Sequence, residues 1–88
     1  MKRYDVSIDR DASKFIRELE DADQRRILRK IDSLSDEPRP HGVKKLKGHS
    51  GLYRVRAGNF RILYSINDGQ LVVIVITVDD RKDVYKSY

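Results

Sequence analysis

The chain has 88 residues, a formal charge of +5 and no cysteine, with a pI of 9.6. That length encloses one hydrophobic core, so a single domain spanning 1–88 is expected. Disulfides and thiolate metal sites are excluded, and no apolar run approaches a membrane span. The N-terminus lacks a signal core, which suits a cytoplasmic protein with an anionic partner.

Lys2–Ile8 alternates, with Tyr4, Val6 and Ile8 on one side, and predicts a first strand with one buried face. Asp9 or Asp11 then caps a helix by accepting a backbone N–H. Ala12, Phe15, Ile16 and Leu19 supply its apolar stripe. Glu20-Asp21-Ala22-Asp23 interrupts the stripe, and Asp21 with Gln24 has the spacing of a capping box that opens a second helix. Its stripe is Ile27, Leu28, Ile31 and Leu34, and Pro38 and Pro40 end it. So short a connection makes the two helices an antiparallel hairpin. Arg25, Arg26, Arg29 and Lys30 fall on its polar side and read as a solvated face.

Arg39–His49 is a loop containing VKKLKG. Leu52–Arg56 and Phe60–Asn67 are two strands joined at Ala57-Gly58-Asn59, where Gly58 supplies the positive φ of a tight turn. Asp68-Gly69 predicts a second two-residue hairpin turn. Gln70–Val78 is apolar on both faces, which predicts a central strand covered on both sides. Asp79–Tyr88 is a polar tail of irregular or short helical structure. The order β-α-α-β-β-β gives an α+β fold, a curved and mainly antiparallel sheet with the N-terminal helical hairpin packed on one face. The other face is left partly open.

Charge is unevenly spread. Acids crowd into Asp5–Glu37 and Asp79–Asp83, whereas Arg39, Lys44, Lys45, Lys47, Arg54, Arg56 and Arg61 have no acid among them. Alternation points Arg54 and Arg56 away from Tyr53 and Val55, and Arg61 away from Phe60, Ile62, Tyr64 and Ile66. The right register collects three guanidinium groups on one surface, a device for gripping phosphate. Lys44, Lys45 and Lys47 adjoin it as RNA-binding candidates, although such a run usually marks a solvated loop. Arg54 and Arg56 have an equally plain reading as decoration of a solvent-facing strand. Tyr64 reads as core and Tyr88 as a C-terminal anchor.

No metal or cofactor is expected. His41 and His49 are the only histidines, and no carboxylate cluster sits at ligand spacing with them. Both read as loop hydrogen-bonding residues. RNA cleavage through the RNA's own 2′-hydroxyl fits better, because the protein then supplies no nucleophile. Arg54, Arg56, Arg61 and Arg81 offer the electrostatics, and Tyr85 a ring to stack on a base or a hydroxyl to orient the 2′-hydroxyl. Arginine is a poor base, so the general base is the gap in this scheme.

VKKLKG, GLYRVRAGNFRILYSI and VVIVITVDDRKDVYK resemble the RelE branch of the RelE/ParE superfamily, toxins of type II toxin–antitoxin systems. The resemblance spans essentially the whole chain. It implies a ribosome-dependent endoribonuclease that enters the A site and cuts mRNA without metal. It also implies a RelB-like antitoxin that holds the enzyme inactive in a hetero-oligomer. By resemblance, Arg54 and Arg56 take the paired basic positions, Arg61 the arginine after the aromatic, and Arg81 and Tyr85 the C-terminal positions. Such groups bind and polarise the scissile phosphate and help transfer protons. Departures are arginine where lysine is common in the pair, and Asp80 where a basic residue or histidine is usual. Asp79, Asp80 and Asp83 bring negative charge that weakens anion binding. The same fold also serves a ParE-like toxin that binds DNA gyrase, or a catalytically silent domain that binds RNA or a protein partner.

Overall fold

Residues 3–48 and 51–80 are described by the computed structural model. In chain order they form β1 (Asp5–Ile8), α1 (Arg10–Arg17), α2 (Asp21–Ser33), β2 (Lys44–Lys45), β3 (Leu52–Ala57), β4 (Phe60–Asn67) and β5 (Val72–Asp80). The strands lie in one sheet in the order β1-β5-β4-β3-β2. β1 runs parallel to β5 after the helical crossover, and the other neighbours pair antiparallel. This is the expected α+β layout, with a two-residue strand, β2, added inside the expected loop.

The helical stripes and the inward strand positions make one core. Ala12 and Ile16 of α1 and Ile27 and Ile31 of α2 pack with Leu34 on Tyr53, Val55, Phe60, Ile62, Tyr64, Val73 and Val75. Burying each aliphatic side chain is worth about 1.5–3 kcal/mol. α1 lies over β5 and α2 over β3, and Phe15 meets Phe60 edge-on with ring centres 6.1 Å apart. Leu28 leaves the predicted stripe and is 43% exposed, because it sits one helical step round from Ile27.

The caps differ from expectation. Asp9 and Glu20 hold the N-cap positions of α1 and α2, and neither side chain accepts a capping hydrogen bond. Gln24 does not close a capping box. Its Nε2 donates to the carbonyls of Leu19 at 2.7 Å and Arg17 at 3.2 Å. An amide donor is better used on the orphan carbonyls at the end of α1, so Gln24 ties the two helices together.

β5 corrects three readings. It starts at Val72 because Asp68–Leu71 is a longer turn, in which Asn67 Oδ1 accepts the Gln70 N–H at 3.0 Å. The positive φ falls on Leu71, at 55°, and not on Gly69. β5 is an interior strand between β1 and β4, but among the described residues no element covers its outer face, and Ile74 is 41% exposed. A bulge accounts for the end of the two-faced apolar run. The pairing passes from Leu63↔Thr77 to Tyr64↔Val75, so Ile76 is an extra bulged residue and the inward set becomes Val73, Val75, Val78. Asp79 and Asp80 then extend the strand instead of opening a tail.

Candidate nucleic-acid interface

Directly opposed residues on paired strands share a face, as do residues two apart along one strand. Arg54 stands opposite Lys44, Arg56 opposite Arg61, and Arg61 opposite Asp79. Lys44, Arg54, Arg56 and Arg61 therefore project together from the open face of the sheet. Lys45 stands opposite Tyr53 and so falls on the other face, while Lys47 is exposed in the turn after β2. Only one of the three lysines joins the arginines by register.

Arg56 beside Arg61 places like charges in the closest cross-strand position, a repulsion of up to about 1 kcal/mol. Asp79 offsets part of it. Arg61 Nε donates to Asp79 Oδ1 at 3.4 Å, with the two side chains 15% and 36% exposed. Asp80 pairs opposite Phe60, on the helix side of the sheet. Of the expected acids, Asp79 alone among the described residues enters the arginine face. The contact joins residues distant in sequence, and the Ile76 bulge sets the parity that brings them together. Arg81, Tyr85, Asp83, Tyr88 and His49 lie outside the described residues.

Arg39 does not join this face. Its Nη1 and Nη2 donate to the Asp68 carboxylate at 3.1 and 2.8 Å, and its Nε donates to the Tyr53 hydroxyl at 3.3 Å. The guanidinium also lies over the Tyr53 ring, 5.1 Å from its centre. Tyr4 donates to the same carboxylate at 2.7 Å. These hydrogen bonds to Asp68 raise the pKa of both Arg39 and Tyr4.

Two concave regions flank the C-terminal end of β3, beyond its pairing with β2. One of about 410 Å³ is lined by Lys30, His41, Lys44, Arg54 and Arg56 with Gly42 and Val55. The other, about 680 Å³, is lined by Arg25, Arg26, Arg29, Lys30 and Arg56 around Ala57 and Gly58. The α2 cations thus form more than a solvated helix face. They wall a groove, and Arg26 lies across the β3–β4 turn, so close that a Cβ at Gly58 would fall 2.6 Å from its Nη1. Lys30 and Arg56 belong to both regions, and among the described residues no Asp or Glu lines either. One basic track runs from α2 past the C-terminal end of β3 to the open face.

The family model for the ParE toxin of type II toxin–antitoxin systems, parDE, matches residues 4–85. The chain belongs to the RelE/ParE superfamily of toxins. It is 34% identical over 87 residues to a RelE-like toxin protein of Escherichia coli, covering 94% of this chain and 90% of that one. Its fold is similar to the archaeal RelE–RelB complex from Pyrococcus horikoshii, with TM-score 0.81, 35% identity and coverage of 92% of this chain and 97% of that chain. The isolated Escherichia coli RelE toxin gives TM-score 0.76 at 27% identity, covering 96% and 93% of the two chains. In this toxin no helix of the described residues is long and apolar enough to cross a membrane. Among those residues no group of three or more His, Asp or Glu is placed to hold a metal ion.

Proposed function

We propose that this toxin is a ribosome-dependent mRNA endoribonuclease, cutting in the A site by attack of the RNA's own 2′-hydroxyl on the adjacent phosphate. The observation that carries the reading is the strand register, which gathers Lys44, Arg54, Arg56 and Arg61 on one open, rigid face. Charge builds on the phosphoryl oxygens as the 2′-oxygen adds, and fixed guanidinium forks stabilise it without reorganising. Arg81 and Tyr85 complete the proposed catalytic set, and Lys45 and Lys47 the proposed RNA-binding margin. The work is done where ribosomes are, in the cytoplasm. Solved RelE relatives are bound to RelB, which supports a RelB-like antitoxin that neutralises the basic face in a hetero-oligomer.

A second reading rests on the matching family model, which is that of ParE toxins. On it the same basic surface binds DNA gyrase and cleaves nothing. Primer extension on an mRNA paused on purified ribosomes separates the two. New ends inside the A-site codon, absent without ribosomes, are the expected result. Arg61→Ala and Arg81→Ala are each expected to slow cleavage by about 100-fold or more and abolish growth inhibition, with unchanged melting curves. Growth arrest without any RNA cleavage would transfer the function to gyrase.

A further inference from the structure

The proposed chemistry lacks a base, since every described cation on the open face is an arginine or lysine that holds its proton at neutral pH. His41 stands beside that face. It occupies the second position of a turn in which the Val43 N–H donates to the Pro40 carbonyl at 3.1 Å. Gly42 follows at φ +88°, the value that the third position of a type II turn demands. Pro40 stiffens the approach to the turn. The histidine is therefore held on a defined turn, at the rim of the cavity of about 410 Å³ that Arg54 and Arg56 also line. It was expected to serve as a loop hydrogen-bonding residue. Its imidazole makes no hydrogen bond or ion pair among the described residues, so both ring nitrogens are available to a ligand. The described groups facing it are Lys30 from α2, Lys44 from β2 and Arg54 and Arg56 from β3, with no carboxylate among the described lining residues. Of these side-chain types only imidazole ordinarily exchanges a proton near pH 7.

We infer that His41 is the catalytic base of the cleavage step, an assignment that rests on the nuclease reading above. The imidazole takes the 2′-hydroxyl proton as the 2′-oxygen bonds to phosphorus. The P–O5′ bond breaks, and the 5′-oxygen leaves as a hydroxyl after taking a proton from water. The products are a 2′,3′-cyclic phosphate and a 5′-hydroxyl end. Arg54 and Arg56 hold the phosphate that His41 works beside, so the nucleophile and the charge to be stabilised meet at the cavity mouth.

The test is single-turnover cleavage of ribosome-bound mRNA from pH 5.5 to 8.5 by the intact toxin and by His41→Ala, with RNA binding measured alongside. The wild-type rate should climb with pH and then level off, as for a base that must first lose its proton. His41→Ala should lose that limb and about 100-fold in rate, bind RNA as before, and regain activity when free imidazole is added to fill the vacated cavity. A purely structural His41 predicts a variant whose binding and cleavage fall together and that imidazole does not rescue, and that outcome overturns the assignment. So does a His41→Ala toxin with the wild-type rate and pH profile. If the wild-type toxin itself cuts no RNA, the nuclease reading falls and this assignment falls with it, a result separable from either of the others.

Discussion

Arg61 shows how one side chain can be both committed and available. Its Nε is engaged by Asp79, which leaves the terminal Nη edge for a bidentate grip on phosphate. The carboxylate also stands a few ångströms from any anion held there, and repels it. At the effective dielectric of a partly exposed, water-facing site this amounts to about 0.5–1 kcal/mol. Asp79→Asn keeps an oxygen for Arg61 Nε and removes the charge. RNA affinity, measured by fluorescence anisotropy at low salt, should rise about two- to fivefold, with the gain shrinking as salt is added. Unchanged or weaker binding would mean that Asp79 does not face the bound anion. The individual arginines were legible from alternation alone. Asp79's part was not, since an ion pair between β4 and β5 depends on a register that a single bulged residue resets.

At the level of elements, the β3–β4 turn joins the open face to the α2 groove. Gly58 has φ +63°, a conformation that costs an L-residue about 1–2 kcal/mol. Arg26 also covers the place where a side chain would begin. Arginine is flexible and can swing aside, so the backbone term should dominate. Gly58→Ala is expected to lower stability by about 1–2 kcal/mol in urea denaturation. The loss should be nearly the same in an Arg26→Ala background, whereas a much smaller loss there would assign the effect to the side-chain clash. The sequence announced this turn plainly, because Ala-Gly-Asn between two alternating runs has few other solutions. The turn at Asp68–Leu71 was misjudged for the opposite reason. Asp-Gly is the usual signal of a tight turn, but the Asn67 side chain caps Gln70 and moves the left-handed residue to Leu71.

For the molecule as a whole, Tyr64 lies at the junction of the sheet, the α2–β2 loop and the tyrosine pair. It is fully buried, its ring stacks near Tyr53, and its hydroxyl donates to the Pro38 carbonyl at 2.7 Å. Burial raises the phenol's pKa well above its ordinary 10.0. The folded chain thus keeps a proton that the unfolded chain releases. The resulting stabilisation is complete below about pH 10 and is lost as pH rises from there toward the folded value. Tyr64→Phe should be about 1 kcal/mol less stable at pH 7, from the lost hydrogen bond. It should then lose less stability than wild type between about pH 10 and 11.5, with Tyr4 common to both proteins. Parallel alkaline curves would rule Tyr64 out as the titrating group.

The sequence by itself determined the helices, the β3–β4 hairpin, the inward faces of β1, β3 and β4 and the basic stretch, since each rests on periodicity or a turn residue within a few positions. It also carried the family, through motifs spread along the chain. Tertiary structure decided what required distant segments to meet. It set Asp79 against Arg61, withdrew Arg39 to Asp68, turned the α2 cations into the wall of a groove and brought His41 to the arginines. Those are contacts across strands and layers, where one bulge changes which face a residue occupies and local pattern holds no record of the partner.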